Sequence, residues 1–303
     1  MALGLEGGFV SKKNSTAPMP TAMTRSATLV TFAHAGHTYS AAHWPAAGPG
    51  VVALHGFTGS GLDFESLAEA LPTFDWWALD LPGHGNTAPL DSGGSWMLET
   101  CAATAALIAS LAAENPQRPI HLLGYSLGGR VALQTLARTS ATEHREKLVV
   151  VGATPGIGDA RERARRQDWD RALAEHIRRE GMVAFLESWQ QQPLIATQTR
   201  IEAGPLARMQ ARRRTLDTQA LALAAIGLGT GSMDSCWNEL EALRQEVLVM
   251  VGALDEKYRA IGEAMVARLP NGRLAVVEEA GHCCHLEGLV QAVALLKAFW
   301  QTG

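Results

Sequence analysis

The sequence predicts an α/β fold in which a mostly parallel sheet carries helices on both faces. Short runs rich in β-branched and other apolar residues alternate with longer runs of helical periodicity. Most of the short runs are apolar throughout, which is typical of strands that helices cover on both faces. The 303 residues are enough for one large domain that carries an insertion.

The first predicted strands are "ATLVTFA" and "HTYSAAHW", which form a leading hairpin. Six buried strands follow, namely "GVVALHG", "DWWALDLPG", "IHLLGYS", "KLVVVGA", "EVLVMVG" and "RLAVVEEAG". Helical patterns such as "SWMLETCAATAALIASLAAE" and "LGGRVALQTLART" lie between them. Because strands and helices alternate, we expect the strands to pair in parallel.

Residues 155–235 interrupt this alternation, because their pattern is helical and contains no convincing buried strand. We expect them to form an inserted helical cap over the carboxyl ends of the strands, where open α/β sheets bind their ligands. The core would then comprise residues 26–154 and 236–303. Residues 1–25, with scattered Gly, Ser, Pro and Thr, are expected to be a disordered N-terminal extension.

Composition narrows the class of protein. The hydrophobic fraction is 47%, and we noted no apolar run long enough to span a bilayer, so we expect no membrane partner. Four cysteines are too few for a disulfide framework, which favours a reducing compartment and hence the cytoplasm. The segment 155–235 contains 12 of the 21 arginines and ten acidic residues, a balance that does not indicate a nucleic-acid partner. Composition does not distinguish a monomer from a homo-oligomer.

One motif carries the chemistry. Gly124-Tyr125-Ser126-Leu127-Gly128 fits G-x-S-x-G, between the strand "IHLL" and the helix "LGGRVALQTLA". In this context the serine lies on a sharp strand-to-helix turn that exposes its hydroxyl, and the glycines avoid collisions with neighbouring strands. The pattern alone also fits a chance turn of small residues, so the interpretation depends on its partners.

A serine of this kind needs a histidine base and a carboxylate that orients the base. Asp255 follows the strand "EVLVMVG" and His282 follows "RLAVVEEAG", so we expect both at carboxyl ends of strands beside the one that carries Ser126. Taken singly, Asp255 could be a helix N-cap and His282 an ordinary loop histidine. Their order and joint placement predict a Ser-His-Asp triad.

Backbone N–H groups that could bind an oxyanion are expected at Phe57, in the loop after "GVVA", and at Leu127, where the next helix begins. The run "GHCCH" contains two histidines and two thiols, but ligands so close in sequence do not readily turn to one tetrahedral centre. We therefore predict no metal and no cofactor. Cys283 and Cys284 are expected to be buried small residues.

From about residue 50 to residue 300 the chain resembles the α/β-hydrolase family. More narrowly, it resembles the 2-succinyl-6-hydroxy-2,4-cyclohexadiene-1-carboxylate synthases (MenH) of menaquinone biosynthesis in "LHGFTGS", "DLPGHG", "GYSLGGR", "PGIGDARERARRQDWD", "ESWQQQP", "GALDEKY" and "AGHCCH". The tyrosine before the serine, the arginine that closes "GGR" and the run "WQQQP" carry the narrower resemblance. The chain departs from that pattern in "VVGATPG", which lacks the Glu-Gly-Gly of many members.

The resemblance implies a lyase without a cofactor, which takes a proton from the ring of a small-molecule tricarboxylate so that pyruvate leaves. It implies that Ser126 is the base, that His282 and Asp255 activate it, and that Phe57 and Leu127 bind the oxyanion. The substrate contacts it implies are Tyr125, Arg130, Arg163, Arg166, Trp189, Lys257 and one of Arg212, Arg213 or Arg214, of which we select Arg213. Arginines also suit such a substrate on physical grounds, because a guanidinium binds a carboxylate through two parallel hydrogen bonds.

Two other hypotheses stay open at this point. Carboxylesterases and carbon–carbon bond hydrolases share the scaffold, and in them the same serine would be acylated. A non-catalytic relative would bind an acidic small molecule or a protein, and a serine turned away from His282 beside a closed pocket would favour it. Any single arginine of residues 155–235 could also be a solvated surface ion pair.

Overall fold

The computed structural model describes residues 25–91, 93–138 and 147–301, so the extension expected at residues 1–25 lies, apart from Arg25, outside the described residues. The strands are β1 (Thr28–His34), β2 (His37–Trp44), β3 (Gly50–Leu54), β4 (Asp75–Leu79), β5 (Ile120–Tyr125), β6 (Lys147–Val151), β7 (Glu246–Gly252) and β8 (Gly272–Val277). They coincide with the leading hairpin and the six buried strands that the sequence predicts.

All eight strands form one sheet in the order β1-β2-β4-β3-β5-β6-β7-β8. The pairs β1/β2 and β2/β4 are antiparallel, and every pair from β4/β3 to β7/β8 is parallel. From β3 the chain first adds β4 on one side and later β5 on the other. The carboxyl ends of β3 and β5 therefore lie at the point where the strand order reverses, which is where ligands bind in sheets of this kind.

The helices are α1 (Glu65–Ala70), α2 (Trp96–Glu114), α3 (Leu127–Arg138), α4 (Ala160–Gln190), α5 (Pro193–Ala196), α6 (Ala203–Arg214), α7 (Thr218–Gly227), α8 (Glu256–Val266), α9 (Cys284–Glu287) and α10 (Leu289–Gln301). Three 3₁₀ turns lie at Gly61–Phe64, Thr197–Arg200 and Glu239–Ala242. We refer to residues 160–227, from the start of α4 to the end of α7, as the helical segment. It contains no strand in this fully described stretch, and α4 breaks at Gly181, whose φ is 71°.

The core lies on both faces of the sheet. One cluster, which includes Leu54, Leu122 and Val131, packs the sheet against α2 and α3. A second, which includes Trp76 and Phe299, packs the opposite face against α1 and α10. A smaller cluster joins α4 to α7 and gives the helical segment apolar packing of its own. Burial of this apolar surface is the main force that holds the strand ends in place.

Helix α2 corrects one expectation from the sequence. Its 19 residues are long and apolar enough to cross a membrane by length and composition, although we had noted no run of that length. In the part of the chain that the structure describes it is the one helix that passes this test. Just over half of it (56%) is buried inside the protein, and Met97, Leu107 and Leu111 belong to the core.

Candidate active site

Ser126 occupies the turn between β5 and α3 with a φ of 51°, a left-handed conformation that non-glycine residues rarely adopt. Its backbone N–H donates to the carbonyl of Val151 (2.8 Å), which holds the turn against the neighbouring strand β6. A side chain at Gly128 would overlap the backbone carbonyl of Leu54 on β3, so only glycine allows α3 to start this close to the sheet. The strained turn therefore lies where the G-x-S-x-G pattern predicts it.

Asp255, His282 and Ser126 form one continuous chain of hydrogen bonds. Nδ1 of His282 lies 2.7 Å from Oδ2 of Asp255, and its Nε2 lies 2.9 Å from Oγ of Ser126. The other carboxylate oxygen of Asp255 accepts the backbone N–H of Tyr258 (3.2 Å) at the start of α8. Asp255 is thus both the N-cap of α8 and the partner of His282. The two interpretations that the sequence offered for this residue do not exclude each other.

The three residues do not stand on adjacent strands. Asp255 follows β7 and His282 follows β8, whereas the expectation placed both beside the strand that carries Ser126; β6 in fact separates β5 from β7. The side chain of His282 reaches Ser126 because its imidazole packs over the carboxyl end of β6, the strand that lies between β5 and β7. A Cβ at Gly152 would come within 3.0 Å of the imidazole ring, so the absence of a side chain there leaves room for it.

The predicted oxyanion donors lie beside the serine. Leu127 is the first residue of α3, and Phe57 follows the end of β3, the strand that pairs with β5. Neither of their N–H groups takes part in the backbone hydrogen bonds that tie the described loops together. The ring of Phe57 packs edge-to-face against Trp189 of α4 (5.5 Å between ring centroids) and against His84 (5.6 Å). The loop is therefore in contact with both the sheet side and the helical segment.

A cavity of about 220 Å³ opens beside these groups. It lies between the strand ends and the helical segment, and both contribute side chains to its wall. The residues that line it include Phe57, Thr58, Tyr125, Ser126, Arg130, Arg166, Trp169, Asp170, Trp189, Gln198, Lys257, Tyr258 and His282. Ser126 is thus turned towards His282, and both line an open cavity, which is the opposite of the arrangement expected for a non-catalytic relative.

Arg130, in the first turn of α3, is a buried cation in this wall, with 8% of its surface exposed. Its Nη1 donates to the carbonyl of Leu228 (2.8 Å), just after the end of α7. Burial lowers the pKa of Arg130 to about 10, so the guanidinium stays protonated at neutral pH. Among the described residues no carboxylate pairs with it, and the nearby Asp170 is bound to Arg166 instead.

Arg166 differs from Arg130 in that it already has an anionic partner. Its Nε lies 2.8 Å from Oδ1 of Asp170, one turn further along α4, and its guanidinium covers the ring of Trp169 (4.5 Å). Asp170 is 3% exposed, and its second oxygen accepts the N–H of Gly231 (3.0 Å). The sequence offered two interpretations of such an arginine, an ion pair or a substrate contact. Arg166 is in an ion pair and also lines the cavity, so both remain compatible with its position.

Tyr125, Trp189 and Lys257 also line the cavity. Tyr125 is buried beside the serine, and burial raises its pKa well above the ordinary value, so the phenol stays protonated at neutral pH. Trp189 packs against both Phe57 and Phe185, so it supports the wall as well as facing the cavity. Lys257 is exposed at the start of α8, with its Nζ 5.5 Å from the ring centroid of Tyr258.

Two of the predicted contacts lie elsewhere. Arg163 and Arg213 are not among the residues that line the main cavity. Arg163 lies in the first turn of α4, on a part of that helix that does not reach the wall. Arg213 is buried and lines a second, smaller cavity of about 140 Å³. Its Nη1 donates to Oε1 of Gln198 (2.9 Å), which lines the main cavity. Thr58 lines both cavities, so the two adjoin.

Sequence reasoning missed Tyr258, which lines the cavity and lies near enough to Arg130, Arg166 and Asp255 to feel their charges. Its ring packs against His282 (4.6 Å between centroids), and its hydroxyl makes no hydrogen bond to another described residue. Burial raises the pKa of this phenol, and Arg130 and Arg166 oppose that effect. The available signal was its position three residues after Asp255, in the first turn of a helix that begins at the carboxylate.

Cys283 and Cys284 are buried, as the sequence predicts. Burial raises the pKa of Cys283 above the ordinary value of a thiol, which keeps it protonated. His285 lies beside the ring of Tyr125 (4.6 Å), and burial lowers its pKa to about 3. Among the described residues, no three or more His, Cys, Asp or Glu side chains lie together in a way that could hold a metal ion.

Residues 51–294 match a known family model, described as the alpha/beta hydrolase family. The chain belongs to the α/β-hydrolase family.

Two of its relatives in sequence are named for the same activity. It is 37% identical over 80% of its length to a Bacillus subtilis (strain 168) protein, of which it covers 87%, named provisionally as a 2-succinyl-6-hydroxy-2,4-cyclohexadiene-1-carboxylate synthase. A Klebsiella pneumoniae (strain 342) protein is 30% identical over 82% of this chain and 92% of its own length. It is named as a 2-succinyl-6-hydroxy-2,4-cyclohexadiene-1-carboxylate synthase without qualification.

Solved structures agree on the fold. MenH from S. aureus superposes with a TM-score of 0.76 at 24% identity, over 86% of this chain and 97% of that one. A thermophilic esterase from Thermogutta terrifontis, solved with malate bound, gives a TM-score of 0.74 at 22% identity, over 91% of this chain and 98% of the esterase. Because both a synthase and an esterase superpose equally well, the backbone alone does not select the reaction.

Proposed function

We propose that this protein is a MenH-like lyase. It eliminates pyruvate from a cyclohexene tricarboxylate and yields 2-succinyl-6-hydroxy-2,4-cyclohexadiene-1-carboxylate. The names of the Bacillus and Klebsiella relatives support this activity. The substrate is a small molecule, and we propose that the reaction takes place in the cytoplasm without a cofactor.

The observation that carries the proposal is the buried charge of Arg130, with which no carboxylate of the described residues forms an ion pair. A buried cation is strongly unfavourable unless an anion compensates it. Arg130 is protonated at neutral pH, and the oxygen that accepts its hydrogen bond is the carbonyl of Leu228. Asp170 attracts it only at longer range, because that carboxylate is paired directly with Arg166, so Arg130 can still bind an anion in the cavity. A substrate carboxylate supplies the missing anion, whereas a neutral ester does not.

The hydrogen-bond chain gives Ser126 its role. His282 can accept the proton of the Ser126 hydroxyl through Nε2, while Asp255 stabilises the imidazolium through Nδ1. The serine oxygen then takes a proton from the substrate ring, and the carbon–oxygen bond to the pyruvate unit breaks as the second ring double bond forms. The N–H groups of Phe57 and Leu127 stabilise the negative charge that develops on oxygen.

The remaining wall binds and encloses the substrate. We assign Arg166, Lys257 and the Tyr258 hydroxyl to its other anionic groups, and Tyr125 and Trp189 to its ring. The helical segment acts as a cap that excludes water from the reacting carbon and so strengthens every charge interaction in the cavity. Arg213 does not contact the substrate in this proposal. It holds the side chain of Gln198, which lines the cavity, by a hydrogen bond from behind.

The test is to incubate the protein with freshly generated tricarboxylate and to follow pyruvate with a coupled dehydrogenase. We expect turnover well above the spontaneous elimination, and pyruvate release close to that background from a Ser126→Ala control of equal concentration. If the wild-type protein releases no pyruvate above that background, the lyase proposal is wrong.

A serine hydrolase is the second candidate, because the 2.9 Å contact between His282 and Ser126 would equally serve an acyl-enzyme. Carboxylesters and carbon–carbon bonds are the substrates of this alternative. It predicts rapid labelling of Ser126 by a fluorophosphonate and a burst of nitrophenol from a p-nitrophenyl ester. The lyase proposal predicts neither, apart from slow side reactions.

A further inference from the structure

The backbone around His282 is held by a carboxylate that the proposed reaction does not use. Glu287 is the last residue of α9. Its Oε2 accepts the N–H of Gly281 (2.5 Å), and its Oε1 accepts the N–H of Cys283 (3.1 Å). Those two amides belong to the residues on either side of His282. One side chain therefore fixes the backbone both before and after the histidine.

The same carboxylate also contacts the helical segment. The hydroxyl of Thr197, in the turn after α5, donates to Oε1 of Glu287 (3.0 Å). The approach is close, because a side chain at Gly281 would overlap the Thr197 hydroxyl. Glu287 thus joins the loop that carries His282 to the segment that forms the opposite wall of the cavity.

Three hydrogen bonds to one ionised group form a stiff connection. Hydrogen bonds to a carboxylate are shorter and roughly twice as strong as those between neutral groups. The imidazole of His282 must meet Oδ2 of Asp255 and Oγ of Ser126 at once, so a small rotation of its backbone lengthens at least one of these contacts. Displacements of about 1 Å can slow a reaction by roughly 100-fold.

We propose that Glu287 is a positioning residue for His282, and that Thr197 links this position to that of the helical segment. Glu287 acts through His282 and touches no reacting atom. The kinetic part of the proposal rests on the proposed function, but the orientation of the imidazole can be measured without any substrate.

A purely structural role is the alternative. Helix α9 begins after Cys283, so a carboxylate on the Cys283 N–H also caps that short helix. A cap alone would change the free energy of unfolding and leave the imidazole contacts intact. The experiment therefore needs a readout of the His282–Asp255 contact itself.

The first measurement is the low-field proton NMR signal of the imidazole N–H shared with Asp255, assigned by its loss in His282→Gln. Glu287→Gln keeps the length of the side chain but replaces one acceptor oxygen with an NH₂ group, which cannot accept. We expect this signal to shift or broaden and kcat for pyruvate release to fall about 10- to 100-fold. KM should change much less, because the arginines of the cavity are untouched.

The matched control is Glu263→Gln, which removes an exposed carboxylate paired with Arg259 on α8. It should alter neither the signal nor kcat. If Glu287→Gln keeps the signal and kcat of the wild type and only unfolds more easily, Glu287 is a helix cap and the proposal is wrong.

A pair of milder variants at Thr197 tests the proposed link between Glu287 and the helical segment. The same pair tests the proposal if Glu287→Gln does not fold. Thr197→Val keeps the shape but removes the donor, whereas Thr197→Ser keeps the hydroxyl. We expect Val to perturb the low-field signal and Ser to preserve it; equal signals in the two variants would contradict the proposed link. A wild type that releases no pyruvate would refute the lyase activity and leave this spectroscopic test valid.

Discussion

The strand ends and the helical segment contribute to the same cavity in different ways. Asp255 and His282 follow β7 and β8, are 6% and 2% exposed, and hydrogen-bond to each other, and His282 also hydrogen-bonds to Ser126. On the helical segment, the side chain of Arg166 is 33% exposed, and the nearby Trp169 is 43% exposed. Asp255 and His282 are thus buried and fixed by hydrogen bonds, whereas the ligand-facing groups of the segment stay partly accessible.

This difference separates the two tasks of an enzyme. Groups that transfer a proton must keep their distances to a fraction of an ångström, and the ends of packed strands provide that rigidity. Groups that select an anionic substrate can be mobile, because long-range charge attraction tolerates movement. Arg130 connects the two regions, since it stands on α3 but donates to a carbonyl at the end of α7.

The largest effect is expected at the strained serine. Ser126→Ala and Ser126→Gly should each lower kcat by on the order of 10³-fold or more, because the base is removed. Since the φ of residue 126 is 51°, glycine also relieves backbone strain, and we expect it to be about 1 kcal/mol more stable than alanine there. Steady-state kinetics and urea unfolding measure the two quantities. Equal stabilities of the two variants would mean that the turn is not strained.

The second largest effect is expected at Arg130. Arg130→Met retains most of the apolar stem but loses the charge, so kcat/KM for the tricarboxylate should fall about 30- to 1,000-fold. Turnover of a small neutral ester should change far less. Arg130→Lys should restore only part of the activity, because lysine supplies the charge without the planar fork.

Comparing turnover of the tricarboxylate with turnover of the neutral ester shows whether Arg130 binds an anion or only supports the structure. Parallel losses on the tricarboxylate and on the neutral ester would show that Arg130 supports the structure through Leu228 instead of binding an anion. A fall in melting temperature of several degrees in Arg130→Met would point the same way.

The sheet could be predicted from the sequence almost strand by strand, because apolar runs such as "KLVVV" and "EVLVMVG" are short, rich in valine and followed or ended by glycine, which favours a covered strand. The placement of Ser126, Asp255 and His282 at strand ends followed from the same pattern. Their separation by β6 did not, because the order of strands in a sheet leaves no periodic signal in the chain.

Which arginines face the cavity could not be predicted from composition. Arg163 and Arg166 lie three residues apart on α4, yet only Arg166 reaches the wall. That difference depends on how α4 packs against α7, which the polar sequence of α4 does not reveal. Tyr258 could not be predicted as a cavity residue for a similar reason. Its neighbours in the cavity include Arg130 and Arg166, which are far from it in the sequence.

A smaller kinetic effect is expected at Arg166, because Asp170 already neutralises it. Arg166→Ala should lower kcat/KM less than Arg130→Met does, but it leaves Asp170 buried without its partner. We expect a loss of about 1 to 2 kcal/mol in the free energy of unfolding, below the usual range for buried pairs because Arg166 is one-third exposed. Urea unfolding measures it, and Arg166→Ala combined with Asp170→Asn should recover part of the loss. No recovery would contradict the ion-pair explanation.

The smallest effect at neutral pH concerns a buried histidine on the sheet side. Burial lowers the pKa of His285 to about 3, whereas an imidazole in the unfolded chain titrates near 6.5. Between those values the unfolded state binds a proton that the folded state does not, so stability falls as the pH falls, by about 1.4 kcal/mol per pH unit. His285→Leu should flatten this slope in urea unfolding between pH 7 and pH 4. His176→Gln, which removes a partly exposed imidazole of the helical segment, is the control, and an unchanged slope in His285→Leu would assign the acid sensitivity to other groups.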